Sequence, residues 1–525
     1  MDGVRSESAA QYFQNFSTSR ENSEPITAVV KGTVPKWLHG SFLRNGGGKY
    51  EVGHDKYNCV FDGLALLHLF EINAGRVTYR SRFLRSEAYK EAVAANRIVI
   101  SEVGTFAYPD PCKSIFERFL SFFLPERVSD NDNVNVMKVG EEFYACTELQ
   151  YIRRIDPKTL ESAENKLDIS NYIAVHGATA HPHEDKDGTV YNMGSRYGLN
   201  AVYNIITIPP PDKGVHDDPY QKAFVSTTIQ RSDGSTSYYH SFGMTDNYFI
   251  FVEQPLIVKE WQVLSKRFFQ KTYADCVEWN PSMKTLFHVI RRDTGQILPM
   301  TYKADAFAVF HHVNAFEEGG HLIVDVCAYK GGIDFQTLKL DEMKEGLVPL
   351  NSQLWRFILP LTYTLNSKMG DNLVKIENST ASAAAMEDGS IHCKPEILFE
   401  TVTELPKINY REFNGKPYRY VYGISEWFKK LVKFDLEEKT LKFWQEDHHF
   451  TSEPVFVPKP GSTMEDDGVV LSSVMSTNES PSFLLILDGK SFTEIARAQI
   501  PLKITCAFHG RFDGCTNSSE NPVRT

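Results

Sequence analysis

Along most of the chain, apolar positions recur in short runs of Val, Ile, Phe, Tyr and Thr between Gly, Asn, Asp and Pro, and few stretches carry a helical period. Arg76 to Phe83, Val134 to Val139, Tyr248 to Glu253, His321 to Ala328, Tyr418 to Gly423, Gly468 to Met475 and Ser482 to Asp488 all read as strands. More than about twenty such strands in one undivided chain suit a β-propeller, which closes by repeating four-stranded sheets. No WD or kelch signature recurs, so the number of repeats does not follow from the pattern. A length of 525 residues ordinarily suggests roughly three to four domains, yet no Gly/Ser-rich or Pro-rich linker and no long charge run divides the chain. The expectation is therefore one all-β domain over residues 25–525, preceded by a flexible polar tail over residues 1–24.

Two stretches break the strand pattern. Ile257, Trp261, Leu264 and Phe268 fall at helical spacing with Lys259, Glu260, Lys266 and Arg267 between them, which predicts a helix packed on the body. After Pro109-Asp110-Pro111-Cys112 come Ile115, Phe116, Phe119, Leu120, Phe122, Phe123 and Leu124, with only Lys113, Glu117 and Arg118 as charges. That stretch is too short to cross a bilayer; it reads either as a buried or partner-contacting helix, or as one lying in a membrane interface with Cys112 placed for acylation.

Composition narrows the options. With 42% hydrophobic residues, 35 Phe and 24 Tyr, the chain can bury a large core and still line an apolar cavity. A formal net charge of -11 and the absence of clustered Lys and Arg exclude nucleic acid as a partner. The eight cysteines are scattered without CxxC pairs, the N-terminus lacks the apolar core of a signal peptide, and no run of about 18 apolar residues occurs. These features predict a cytoplasmic protein with reduced thiols and no spanning helix.

Sixteen histidines offer a choice of metal ligands. His181 lies in Ala180-His181-Pro182-His183, where the following proline removes it from helical conformation and marks a strand end. His240, the pair His311-His312 and His509 likewise sit among aromatic or small residues in strand-like sequence. Neutral imidazole suits iron, zinc and copper. Adjacent His311 and His312 would point to opposite faces, so at most one can join a common centre. A competing two-histidine, one-carboxylate site is conceivable at His183-Glu184-Asp185 or His216-Asp217-Asp218, although both look like solvated turns. Glu148, Glu404 and Glu465 stand beside apolar strands, where a carboxylate can accept the second ring N–H of a metal-bound histidine.

Several ordered motifs span nearly the whole chain: Pro35-Lys36-Trp37-Leu38, Phe61-Asp62-Gly63-Leu64-Ala65, Pro109 to Lys113, Ala180 to His183, Ser237 to Gly243, Phe310 to Phe316, Ser452-Glu453-Pro454, Glu465 to Gly468 and Phe508-His509-Gly510. Together they resemble the carotenoid cleavage oxygenase family, and most closely its animal branch of β-carotene oxygenases and the retinal pigment epithelium isomerohydrolase. The resemblance implies an all-β, seven-bladed β-propeller with a helical and loop dome, and Fe(2+) on its axis held by His181, His240, His311 and His509. It also implies that Glu148, Glu404 and Glu465 support His240, His311 and His509 respectively. The implied reaction cleaves a conjugated C=C bond of a carotenoid or apocarotenoid with O2, giving two carbonyl products, on a protein peripherally attached to a membrane. Retinoid isomerohydrolysis or isomerising cleavage is the alternative within the family, and non-catalytic carotenoid binding the alternative outside it. The sequence departs from the family pattern at Gly46-Gly47-Gly48, at Cys59-Val60 and at Leu149-Gln150. These changes spare the histidines and bear on the substrate.

Overall fold

A computed structural model describes residues 4–5, 7–108, 114–116, 127–198, 201–211, 218–231, 236–348, 351–362 and 369–514. The fold is all-β: among the described residues, seven sheets of four to six strands carry it, with three smaller sheets of two or three strands. The longest helix among the described residues is Glu87–Ala95, started by Ser86, whose side chain accepts from the Tyr89 amide at 3.0 Å.

Strand burial follows the sequence pattern. His321–Tyr329, a continuous run without polar alternation, is buried at every position, as expected of a strand covered on both faces. Gly319 and Gly320, both at positive φ, form the tight turn that returns the chain to it from Ala308–Glu318. Arg76–Phe83 instead alternates buried and more exposed positions, because only one of its faces meets the core.

The two ends of the chain are interleaved. Val29–Gly32 pairs with Glu494–Ile500, in the sheet otherwise built from strands after residue 448. In return, the last described strand, His509–Gly514, pairs with Gly40–Lys49, setting Asn45 opposite His509. This reciprocal pairing leaves little room between strands.

Two expectations require correction. The stretch from Ile257 to Phe268 is not one packed helix: Ile257 belongs to the strand Leu256–Val258, and the helix is only Glu260–Ser265. The β-branched Ile257-Val258 pair with Thr236–Ser237 and Val277–Trp279, while Trp261 and Leu264 are exposed, Leu264 by 82%. Residues 7–24 are also more than a loose tail. Glu7–Tyr12 is a helix, and Tyr12 is 0% exposed because its ring is enclosed by Phe16, Phe428 and Phe450.

A Cβ added at Gly510 would lie 2.0 Å from the Leu43 carbonyl oxygen and 2.9 Å from the Arg44 Cα, both backbone atoms. Gly510→Ala should therefore destabilise the protein by about 2 kcal/mol or more and lower its thermal midpoint. An unchanged midpoint in calorimetry would contradict this strand pairing.

Candidate metal centre and cavity

Each of the four histidines stands where a strand is irregular. His181 occupies the gap between Gly177–Ala178 and His183–Glu184, which both pair with Val190–Arg196. The Thr179 amide still donates to Met193 O at 2.8 Å, so the interruption is confined to Ala180, His181 and Pro182. His240 lies between the short strands Thr236–Ser237 and Gly243–Met244. His311 is in Ala308–Glu318 where the pairing with His321–Tyr329 shifts register, and His509 opens the last strand. A side chain on a regular strand stands perpendicular to its sheet, and an end or bulge is what re-aims it.

Those irregularities bring the four imidazoles together, with one ligand atom from each lying within 4.8 Å of the others. His181 is central to the group: its ring lies 4.3 Å from that of His509, 4.4 Å from His240 and 5.1 Å from His311. The Nε2 atoms of His181 and His240 are 2.8 Å apart.

Three carboxylates hold the rings from behind. His240 Nδ1 donates to Glu148, which also accepts from Tyr238 Oη at 2.9 Å. His311 Nδ1 donates to Glu404 Oε2 at 2.5 Å, and Tyr329 Oη donates to the other oxygen. His509 Nδ1 donates to Glu453 Oε1 at 2.7 Å. Each bond fixes a tautomer in which Nε2 carries the lone pair. His311 Nε2 is buried without a hydrogen-bond partner, so the centre presents an unsatisfied ligand atom. This donor set fits a divalent transition metal.

Burial keeps the rings of His181, His311 and His509 neutral. Burial, and then the other three imidazoles, hold His181 well below the ordinary histidine range. Burial likewise lowers His509 to about 3 in spite of Glu453. Glu453 is raised by burial, but Lys407, His509 and Arg44 outweigh that and hold it well below the usual carboxylate range. Its oxygens meet Lys407 Nζ at 2.9 Å and Arg44 Nη1 at 2.7 Å, inside the fold.

The structure thus replaces one expected partner. Glu465 is not beside His509; it accepts from the backbone amides of Arg419 and Tyr420, at 2.9 and 2.8 Å, and shapes a turn. Glu453 takes the place assigned to it. The available signal was a lone acid between Ser452 and Pro454 at the start of an apolar strand, Val455–Pro458. Lys407 and Arg44, which hold Glu453 ionised, carry no comparable signal.

Neighbouring histidines have other duties. His183 lies between Tyr410 Oη, at 2.7 Å from Nδ1, and Phe242 O, at 2.9 Å from Nε2. His312 Nδ1 meets Ser241 Oγ at 2.9 Å. The alternative at His183 does not assemble among the described residues, because Asp185 pairs with Arg292 and Glu184 lies near Arg511; the other alternative falls on His216 and Asp217, which are outside the described residues.

A cavity of about 710 Å³ opens on this centre, with His240, His311 and His509 in its wall. Aromatic rings crowd the approach: Phe310 lies 5.4 Å from His240, and Phe61 and Phe508 are 5.2 Å apart. Leu149 and Gln150, two of the positions that depart from the family pattern, are part of the lining, as is Val60.

Of the expected membrane-contact residues, Ile115 is 80% exposed and Phe116 is also exposed, while Cys112, Phe119, Leu120, Phe122 and Phe123 lie outside the described residues. The exposed Leu264 and Val128 also line the cavity, so apolar surface continues from outside to inside.

Comparison with known proteins places this geometry. The model of the family described as "Retinal pigment epithelial membrane protein" (RPE65) matches residues 15–513. The protein named carotenoid-cleaving dioxygenase, mitochondrial, of Macaca fascicularis is 44% identical over 523 residues, covering 95% of this chain and 93% of its own length. The human protein named beta,beta-carotene 15,15'-dioxygenase is 44% identical over 513 residues, covering 94% and 93%. Cobalt-substituted Synechocystis ACO shares the fold, with a TM-score of 0.77 at 24% identity over 98% of this chain and 100% of that one. An ACO/RPE65 chimera matches equally well, with a TM-score of 0.77 at 23% identity over the same shares. On the extent of the family match and of these full-length relatives, the chain belongs to the RPE65 family, which includes carotenoid oxygenases.

Proposed function

We propose that this protein is a non-haem Fe(2+) dioxygenase that cleaves a conjugated C=C bond of a carotenoid or apocarotenoid to two carbonyl products. The observation that carries the reading is a set of four imidazoles, His311 and His509 buried and His181 and His240 half-buried, three of them backed by carboxylates and together opening on a large aromatic cavity. The seven larger sheets are read as the blades of one seven-bladed propeller, with the histidines on its axis and the interleaved chain ends as its closure.

His181, His240, His311 and His509 would hold the metal, and Fe(2+) bound there would supply activation of dioxygen. The chain's own residues do the rest. Glu148, Glu404 and Glu453 keep three rings in the tautomer that offers Nε2 and partly offset the metal's charge. Phe61, Phe310 and Phe508 exclude water and lie beside a rigid polyene that has almost no polar handles. Selection of the substrate then rests on cavity shape more than on hydrogen bonds.

A lipophilic substrate reaches such a cavity most directly from a membrane. No helix among the described residues is long and apolar enough to cross one. Exposed Ile115, Phe116, Trp261, Leu264, Phe268 and Phe269 instead suit peripheral insertion, and Leu264 joins that surface to the cavity.

His240→Ala should abolish both iron retention and carotenoid cleavage, measured by metal analysis and by chromatography of products; an iron-replete, active variant would sink the assignment. Glu453→Gln should weaken metal retention by about 10- to 100-fold, whereas Glu465→Gln should leave it near wild type. Equal effects of the two in a metal-competition titration would refute the pairing of Glu453 with His509. Trp261→Asp combined with Leu264→Asp should reduce flotation with liposomes, and unchanged flotation would remove this face from membrane contact.

A further inference from the structure

The cavity wall has an exposed part and an enclosed part. Leu264 and Val128 belong to the first, whereas Tyr12, Phe16 and Trp427 are at most 7% exposed. Two structural features that the iron chemistry does not use build the enclosed part.

One is the N-terminal segment. The helix Glu7–Tyr12 and the turn Phe13–Asn15 carry Tyr12 and Phe16 into the wall. The Tyr12 ring stacks on Phe428, with centroids 4.5 Å apart and planes 12° apart. Its hydroxyl lies 2.7 Å from the sulfur of Cys506, three residues before His509 in the chain. Among the described residues, the ring and hydroxyl partners of Tyr12 and Phe16 are Tyr50, Phe428, Phe450, Cys506 and each other, and none of the four histidines.

The other feature is the turn joining Tyr420–Ser425 to Lys430–Asp435. Glu426, Trp427 and Phe428 follow one another at φ 46°, 54° and 61°. Consecutive non-glycine residues in the left-handed region are disfavoured, because each Cβ crowds a carbonyl oxygen. Thr451 holds the turn, donating to Phe428 O from its amide at 2.6 Å and from its hydroxyl at 2.9 Å. The strained conformation places the rings of Trp427 and Phe428 in the cavity wall beside Tyr12. A hairpin needs no such strain merely to connect two strands, and strain of this kind collects where a ligand is contacted.

We propose that this enclosed wall is an end stop for the substrate: the leading end of the carotenoid seats against Tyr12, Trp427 and Phe428, and its distance from the four histidines selects the double bond that is cleaved. A conjugated polyene is rigid, so fixing one end fixes the position of every double bond along the cavity. The proposal rests on the carotenoid reading above, and it makes Tyr12, Trp427 and Phe428 specificity-determining residues. It also assigns the N-terminal segment to the substrate site.

The test uses the full-length, iron-loaded protein with β-carotene and a series of apocarotenals of increasing length, and reads product lengths by chromatography with mass detection. Tyr12→Ala deepens the cavity, so cleavage should shift by one or two double bonds and lengthen the fragment held at the enclosed end. Tyr12→Leu and Trp427→Leu shorten the wall while keeping an apolar filler, and should shift cleavage in the same direction if the alanine variant does not fold. Cleavage by these variants with the wild-type product lengths overturns the end stop alone. No cleavage by the wild-type protein overturns the carotenoid reading, and the end stop with it.

Discussion

Four imidazole lone pairs turned toward one buried point repel one another, and nothing in a polypeptide backbone favours bringing them there. The arrangement holds because the opposite edge of three rings is tied to a carboxylate. Enclosing a carboxylate in the fold is costly unless it is paired, and each of the three has partners of its own. Glu453 has Lys407 and Arg44 for that purpose, while Glu148 and Glu404 accept from Tyr238 and Tyr329. Removing one member leaves another buried polar group without a partner, so the centre acts as a unit rather than as four independent ligands.

The same dependence explains why the ligands interrupt their strands. Regular pairing would spread the histidines over sheet faces. Pro182, the register shift around His311 and the late start of the strand at His509 break that regularity locally, and intact strands on either side keep the break from spreading. Gly177, whose added Cβ would lie 2.4 Å from the Glu148 carbonyl oxygen, lets the strand leading to His181 run against the segment that supports His240. Ligand and supporting acid thus come from different parts of the chain yet share one packed boundary.

How much of this was legible varies with the kind of signal. The all-β character shows in alternating and continuous apolar runs, and the histidines stand out by their proline, glycine and aromatic neighbours. Their selection from sixteen came from resemblance, because convergence of strands some 330 residues apart leaves no periodic trace. Glu453 escaped for the same reason: acidity beside an apolar strand describes Glu465 equally well, and only packing separates the acid facing His509 from the one that closes a turn. The spacing of Trp261 and Leu264 correctly marks a helical turn, but periodicity does not say whether an apolar side faces core or surroundings. Tyr12 and Phe16 were hidden by the polar residues around them, although two aromatic rings can anchor a short segment that is otherwise hydrophilic.

The interleaving of the chain ends has a consequence for the order of events in biosynthesis. Residues 40–45 leave the ribosome early and remain without one strand partner until residues 509–514 have been made. His509 arrives on that final strand, so the fourth ligand joins the centre only when almost the whole chain has been translated. Contacts this distant in sequence form slowly. Until they do, Gly40–Lys49 has an open edge of the kind that pairs with other chains. A centre that needs all four imidazoles is therefore complete only once residue 509 has been made, and until then the early strands carry an open edge exposed to aggregation.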